Sequence, residues 1–585
     1  MVSQSTELMR YSFHEVILAF IHGFRLDISA AGYLLLLPVL LAVPWFFVTG
    51  KWYIRFMKIY SLLIIILITP LILGDSVVYS YWAYRLDFSV VGYLKNPKDV
   101  MASATTLQLI ELFSSNALIT FLVAKSCFKL INRFYVIPEK KKLPVIPAFV
   151  FVMLFAFLII PIRGGLGVAP LNSGSVYFSE HLFLNHSALN VVWHFGHTAV
   201  YSKPVRNPYQ FTSRQEAEKT FSELIRNTSD TVKVLNRHNP NLLLIILESF
   251  GSEIIDINGI DSAVAPRFKE YIREGIYFSG LYAAGSRTDK AVPAIFSGYP
   301  NLPVIQVIRE PRKTQKMPGI FRLLDSAGYK TSFWYGGDLN FANFNSFITT
   351  TGFTEKVTME NFDRSDRNSK WGVHDHIVFE RLHDSLARAR EPFAYGILSL
   401  SSHEPFEVPM IPVFKGKDIL SRFKNSVYYT DKSLGEFLDK AKKSDWWERT
   451  LVVIIADHCR RNFDTIPVYS ESIFKIPMLW LGGALAVRDT VISKPCSQFD
   501  LPLTLAAQLG LKASFPFSKN ILSTKNNSFA FYTYNEGFAF ITDSSSVIYD
   551  IKLKGYVKAE GKNAEIAEKN AKAFLQVLFD DYLSK

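Results

Sequence analysis

Four short stretches of the 585-residue chain hold side chains suited to acid–base, nucleophilic or metal chemistry. The apolar run 242–247 ends in Glu248-Ser249, the run 451–456 ends in Asp457-His458, and the run 393–400 leads into Ser401-Ser402-His403. Two carboxylates and an imidazole make an oxygen and nitrogen set that holds a divalent cation. Taken singly, each is as readily a capped, solvated loop residue; three of them at the ends of three apolar runs point to one site. The fourth stretch is Gly285-Ser286-Arg287-Thr288-Asp289-Lys290, between a β-like run (276–282) and an expected helix (291–297). A hydroxyl at a helix N-terminus sits in positive potential beside free backbone N–H groups, which favours an alkoxide and binds phosphate. Arg287 and Lys290 add charge for the same anion. The plainer reading of Thr288 is a helix cap.

The elements that must position these residues follow from the pattern. After residue 241, apolar runs at 242–247, 331–334, 393–400, 451–456 and 476–481 alternate with amphipathic helical segments. Uninterrupted β-rich runs suit strands covered on both faces, so the pattern predicts an α/β domain with a mainly parallel central sheet. Ligands of such sheets bind beyond the carboxyl ends of the strands, where the polar pairs stand. Residues 163–240 read as a linker: Arg163-Gly-Gly-Leu-Gly and Pro170 break the preceding apolar run, and a polar helical stretch follows at 213–235.

Upstream the chain is a membrane segment. A spanning helix needs about 20 largely uncharged residues. Stretches 28–48, 59–74, 107–124 (with Glu111) and 143–162 meet or approach this, and Trp45, Trp52, Tyr53, Tyr79, Trp82 and Tyr84 cluster near their edges. Residues 13–24 are apolar but short and contain His14, Glu15 and His22, which reads as a separate interfacial helix. The domains expected are therefore a membrane domain of about four helices plus that interfacial helix (1–162), an extracytoplasmic linker (163–240) and an extracytoplasmic catalytic domain (241–585).

Charge sets the orientation. The net charge is +12, and residues 1–143 supply half of it, with 14 Lys and Arg against 8 Asp and Glu. Lys51, Arg55 and Lys58 lie between the first two spans, and Lys125, Lys129, Arg133, Lys140, Lys141 and Lys142 between the last two. The loop between spans two and three is balanced: Arg85, Lys95 and Lys98 against Asp75, Asp87 and Asp99. The positive-inside rule puts the basic loops in the cytoplasm and the chain after Arg163 outside the cell membrane. No cleavable signal is evident; four spans leave Met1 outside, or a further span precedes it. This use of the charge argues against nucleic acid as a partner. Three cysteines exclude a disulfide scaffold or a cysteine-rich zinc module. One acid in four spans offers no transport pathway.

The motifs in order are Leu244-Ile-Ile-Leu-Glu-Ser-Phe, Arg287-Thr-Asp-Lys, Tyr335-Gly-Gly-Asp, Trp371-Gly-Val-His-Asp, Leu400-Ser-Ser-His-Glu-Pro-Phe and Ile455-Ala-Asp-His. With them the chain resembles the lipoteichoic acid synthase family of the alkaline phosphatase/sulfatase superfamily, over about 240–510. The resemblance implies that Glu248, Thr288, Asp457 and His458 hold one divalent metal, usually manganese, with magnesium or zinc as alternatives. It implies that Thr288 is a transiently phosphorylated nucleophile and that His403 meets the phosphoryl group or leaving oxygen. Arg287, Lys290, Asp338, Asn343 and His403 are the expected substrate contacts. The implied partners are a membrane phospholipid donor and a glycan or polymer acceptor, with phosphoglycerol moved from phosphatidylglycerol.

The sequence departs from that pattern in two places. Ala342 and Phe344 stand where the family's polymerases place a Trp and an Arg on the glycerol-phosphate, which keeps phosphoethanolamine transfer open. Cys459 replaces the Gly after Asp-His; it fills a small turn position, or else contacts the metal or pairs with Cys496. Cys127 is expected to be inert. A sulfatase would need Cys or Ser followed by x-Pro-x-Arg, and Thr288-Asp-Lys-Ala-Val-Pro lacks it. Asp338, His374 and His376 are available for a second metal, with nothing that recruits them. A sulfatase-like phosphodiesterase is not separable from a transferase by sequence; a non-catalytic sensor would tend to lose the intact set.

Overall fold

The computed structural model describes the chain except residues 1–4, 48–50, 83, 89, 94–105, 135–144, 168, 202–205, 227–229, 256–263 and 461–465. Lys95, Lys98, Asp99, Lys140, Lys141 and Lys142, and the span ends expected at Val48 and Leu143, lie outside the described residues. Two compact units are present, Met1–Val205 and Arg206–Lys585.

In the first unit, helices α1 (Phe13–Trp45), α2 (Trp52–Trp82), α3 (Thr106–Phe134), α4 (Val145–Phe157) and α5 (Ile159–Arg163) carry the apolar sequence. Four stretches, Phe13–Trp45, Trp52–Tyr79, Ile110–Phe134 and Val145–Arg163, are long and apolar enough to cross a membrane. The separate interfacial helix expected at 13–24 is corrected: these residues are the start of α1, which runs unbroken for 33 residues. Its N-terminus is set by a capping box in which Ser12 Oγ accepts from Glu15 N and Glu15 accepts from Ser12 N. The polar residues that suggested an interface are thus the helix start. Ser29 Oγ donates to the Ile162 carbonyl at 2.8 Å and accepts from Trp193 Nε1 at 3.0 Å, which ties α1 to α5 and to the helix Val191–Tyr201. Within 163–240, residues up to Val205 thus belong to the first unit and those from Arg206 to the second. The helical stretch expected at 213–235 is the shorter helix Arg214–Leu224.

The second unit is built on an eight-stranded sheet of β1 (Asn241–Leu247), β2 (Ile276–Phe278), β3 (Lys330–Tyr335), β4 (Glu355–Val357), β5 (Phe393–Leu398), β6 (Thr450–Ala456), β7 (Met478–Leu481) and β8 (Thr490–Ile492). Their order across the sheet is β4-β3-β5-β1-β6-β7-β2-β8. All ladders are parallel except the two that β7 makes with β6 and β2. The expectation that 476–481 is one more parallel strand is therefore corrected. Every residue of β1, β5 and β6 is buried, which is why these runs lack alternation. A second sheet, β9 (Phe529–Tyr534), β10 (Gly537–Thr542), β11 (Ser545–Asp550) and β12 (Gly555–Gly561), is antiparallel throughout.

For the site, the order β5-β1-β6 matters most. It sets the carboxyl ends of three neighbouring strands side by side, and with them Ser401-Ser402-His403, Glu248-Ser249 and Asp457-His458.

Candidate active site

Glu248, the first residue after β1, has its backbone held from the segment that follows β5. Its N–H donates to Ser399 Oγ at 2.9 Å, and its carbonyl accepts from Ser402 Oγ at 2.6 Å. Asp457 follows β6; its Oδ1 accepts from Ser249 N at 2.9 Å and from His458 N at 2.6 Å. His458 Nδ1 lies 2.6 Å from the Cys459 carbonyl. An Nδ1–H donated there leaves the Nε2 lone pair facing the carboxylates. That nitrogen is 3.5 Å from Glu248 Oε1 and 3.3 Å from Asp457 Oδ2.

Thr288 completes the group. It is the first residue of helix α6 (Thr288–Ser297), three positions earlier than the sequence pattern predicts, and exposed Arg287 is the N-cap. The Thr288 hydroxyl therefore does not cap the helix. It donates to Glu248 Oε2 at 3.0 Å and lies 3.4 Å from His458 Nε2. Gly298 ends the helix at φ 58°, a left-handed position where a side chain would be strained.

Glu248, Asp457 and His458 each offer a ligand atom within 4.8 Å of the others, and all three are buried. Burial and the neighbouring Glu248 push the Asp457 carboxyl up to about 8. Burial also acts to raise Glu248, yet the facing charges of His458 and His403 hold it below its usual value. His458 is raised, since Asp457 and Glu248 outweigh its burial. The cluster thus asks for positive charge, and Asp457 Oδ2 is a buried acceptor without a hydrogen-bond partner. These residues fit a divalent cation. An O,O,N donor set suits manganese, magnesium or zinc and does not choose among them.

The other expected residues lie in the loops after β5 and β3 and on or beside α6. His403 lies in the loop after β5, its ring edge-on to Trp371 at 4.7 Å and its Nδ1 2.9 Å from the Glu404 carbonyl. Arg287 is exposed and makes no ion pair among the described residues. Lys290 is buried, and its Nζ donates to Asn535 at 3.2 Å in the turn between β9 and β10. Asp338 Oδ1 accepts from Asn340 N and Nδ2, at 2.8 and 2.9 Å. Buried Asn343 donates to the Ile308 carbonyl at 2.9 Å, and Phe344 is buried. Ala342 and Asn343 both hold positive φ, 50° and 68°.

His374 is the N-cap of helix α7 (Asp375–Leu386), and His376 meets the Tyr429 hydroxyl; neither joins the cluster. All three cysteines are free, so the Cys459–Cys496 pairing is corrected. Cys459 is packed in the core with its thiol 3.1 Å from the Lys475 carbonyl, and it is not among the grouped ligands.

Two buried residues received no role from the sequence. Gln498 donates from Nε2 to the carbonyls of Ala456 and Asp457, at 2.9 and 2.8 Å, and accepts from Ala284 N at 3.3 Å. It thereby links the end of β6 to the chain entering Thr288, and no local motif announces it. Asp375, within the Trp371 motif, accepts from Leu400 N at 2.7 Å and from Thr430 Oγ1 at 2.7 Å, while its N–H donates to Ser401 Oγ. It fixes the loop that carries His403. The same motif is joined to Tyr335-Gly-Gly-Asp backbone to backbone, Val373 N to the Gly336 carbonyl at 2.8 Å. A Cβ on Gly372 would lie 2.1 Å from that carbonyl.

Comparison with known proteins agrees with this geometry. A family model described as Sulfatase matches residues 240–511. The chain is 22% identical over 339 residues to Lipoteichoic acid synthase-like YvgJ of Bacillus subtilis (strain 168), covering 54% of this chain and 55% of that one. It is 26% identical over 195 residues to Phosphoglycerol transferase I of Xanthomonas euvesicatoria pv. vesicatoria (strain 85-10), covering 31% and 27%. The chain thus spans about half, or less, of the length of these curated relatives. Among solved structures, a Vibrio parahaemolyticus protein of the alkaline phosphatase superfamily superposes with a TM-score of 0.57 at 24% identity, covering 64% of this chain and 97% of that one. The lipoteichoic acid synthase LtaP of Listeria monocytogenes gives 0.51 at 20% identity, covering 63% and 98%. Residues 240–511 accordingly match the Sulfatase family model and share their fold with these two solved structures.

Proposed function

We propose that the protein is a membrane-anchored, metal-dependent transferase that moves a phospholipid head group, phosphoglycerol from phosphatidylglycerol, through phospho-Thr288 to a cell-envelope glycan or polymer. The observation that carries this reading is the Thr288 hydroxyl at a helix N-terminus, 3.0 Å from Glu248 and 3.4 Å from His458. A nucleophile beside a buried carboxylate and imidazole at strand ends suits phosphoryl transfer. The relatives named as synthase and phosphoglycerol transferase support the substrate class.

In this account Thr288 Oγ1 attacks the phosphorus of the donor, and its hydroxyl proton passes to Glu248, which already accepts it. The P–O bond to the glyceride breaks, and His403 gives its proton to the departing diacylglycerol oxygen. A hydroxyl of the acceptor then attacks phospho-Thr288 and gives its proton to the imidazole of His403; the bond from phosphorus to Thr288 breaks, and Glu248 returns its proton to the freed Thr288 oxygen. The N-terminal amides of α6 and the exposed Arg287 face the anionic group. A divalent cation held by Glu248, Thr288, Asp457 and His458 would lower the hydroxyl pKa and offset charge on the transferring group. Asp338, in the turn after β3, contacts the head group, and buried Asn343 supports that turn through the Ile308 carbonyl. Lys290 adds positive potential from beneath α6.

With the positive-inside reading, the catalytic domain works outside the cell membrane, where its lipid donor and envelope acceptor meet. Phosphoethanolamine transfer is the second reading, favoured by one observation. Phe344, at the position where a glycerol-phosphate contact is expected, is buried in the core. The test is release of diacylglycerol from phosphatidylglycerol and phosphatidylethanolamine by the full chain in mixed micelles. Release from the first, lost in Thr288→Ala, is expected; release unchanged in that variant contradicts the proposal.

A further inference from the structure

A groove of about 1020 Å³ lies between α2 and α3, at the large end of the range for small-molecule sites. Leu62 and Ile66 of α2 and Phe121 and Phe128 of α3 give it an apolar wall, and Lys125, Lys129 and Asn132 stand toward one end. The residues of α3 in this wall recur at three- and four-residue spacing, so they share one helix face. That face changes character along its length, apolar first and cationic last. Both lysines are exposed and make no ion pair among the described residues. The two helices are pinned to each other deeper down, where Thr69 Oγ1 meets Thr120 Oγ1 at 2.7 Å.

The dimensions identify an occupant. From Ala117 to Asn132 the helix rises about 22 Å at 1.5 Å per residue. One leaflet offers about 15 Å of hydrocarbon plus a head-group layer of several ångströms. A ligand that is apolar for most of that length and anionic at one end, beside two lysines, matches both the wall and the charge. We propose that this groove seats an anionic phospholipid, acyl chain along Leu62, Ile66, Phe121 and Phe128 and phosphate at Lys125, Lys129 and Asn132. This lipid is bound rather than consumed, and the site is separate from Thr288 and its partners. The inference rests on α2 and α3 crossing a membrane and is independent of the transferase reading.

The test is native mass spectrometry of the full chain released from detergent micelles containing dioleoyl phosphatidic acid or dioleoyl phosphatidylcholine. Phosphatidic acid is the probe because it has no head-group alcohol to transfer. The expected result is one retained phosphatidic acid, in about ten-fold excess over phosphatidylcholine. K125A/K129A should lose the excess, and K125R/K129R should keep it, which also shows that the pair tolerates substitution. Ala117→Trp leaves every charge in place but obstructs the acyl path, and it should lose the excess too.

Equal retention of the two lipids by the unaltered chain overturns the proposal. So does retention indifferent to Ala117→Trp, the mark of bulk attraction to helix-end lysines. A dimer that Ala117→Trp dissociates, with no phosphatidic acid retained, assigns the groove to a second copy and overturns it as well. Carbonate washing of vesicles carrying the chain keeps the failures apart, since loss of the chain from the vesicle refutes the membrane reading itself.

Discussion

The carboxyl ends of β1 and β6 and that of β3, in the same sheet, use their polar residues in opposite ways. After β1 and β6, the side chains of Glu248, Asp457 and His458 converge, and Asp457 Oδ2 is left buried without a hydrogen-bond partner. After β3, the polar side chains are engaged by the protein: Asp338 accepts from Asn340, Asn343 donates to the carbonyl of Ile308 in an earlier segment, and Phe344 enters the core. The first arrangement concentrates unsatisfied charge where a cation and a phosphoryl group can relieve it. The second has Asp338 and Asn343 already hydrogen-bonded to protein and is held in unusual backbone, with Ala342 and Asn343 both at positive φ. Charge left unpaired suits the reaction, and a braced turn suits choice of head group.

Substitutions at these strand ends, and at the residues that serve them, can break this contrast. Asp457→Asn removes a ligand and should cost about 10³-fold in turnover, the scale of losing a group that stabilises transition-state charge. Elemental analysis of the purified variant should find the divalent ion depleted. His403→Ala should cost about 10²-fold in turnover, as for loss of a general acid, with metal content unchanged. Gln498→Ala removes no ligating side chain, but it frees the backbone of Asp457 and Ala284; a loss of about ten-fold in metal affinity is expected from a partner of this kind. Asp338→Asn should act on binding, raising KM by about three- to ten-fold with kcat kept, the pattern of uniform binding. If instead it lowers kcat as far as Asp457→Asn does, the strand ends are not distinct in role.

Much of this site is legible in the sequence because its scaffold is local. Leu244 to Leu247 announce a strand buried on both faces, and Glu248 follows at its carboxyl end; the same holds for Ile455, Ala456 and Asp457. What the sequence hides is nonlocal. Nothing near Gln498 says that it will reach carbonyls about 40 residues away, nor that Asp375 will brace the loop of His403. Direction is hidden as well: Met478 to Leu481 are fully buried like their neighbours, so an apolar run there cannot distinguish an antiparallel strand from a parallel one. His14, Glu15 and His22 suggested an interface, whereas Ser12 and Glu15 form the capping box that starts a 33-residue helix. Lys290 shows the limit of charge counting, since its ammonium is buried against Asn535 and burial lowers its pKa.

The central claim is that Thr288 carries the transferred group. Its most direct measurement is peptide mass spectrometry of the full chain after brief incubation with phosphatidylglycerol and no acceptor. The account predicts a phosphoglycerol adduct on the peptide containing Thr288, discharged when acceptor is added and absent from Thr288→Ala. Turnover with no adduct on that peptide, or an adduct on another residue that persists in Thr288→Ala, would contradict it.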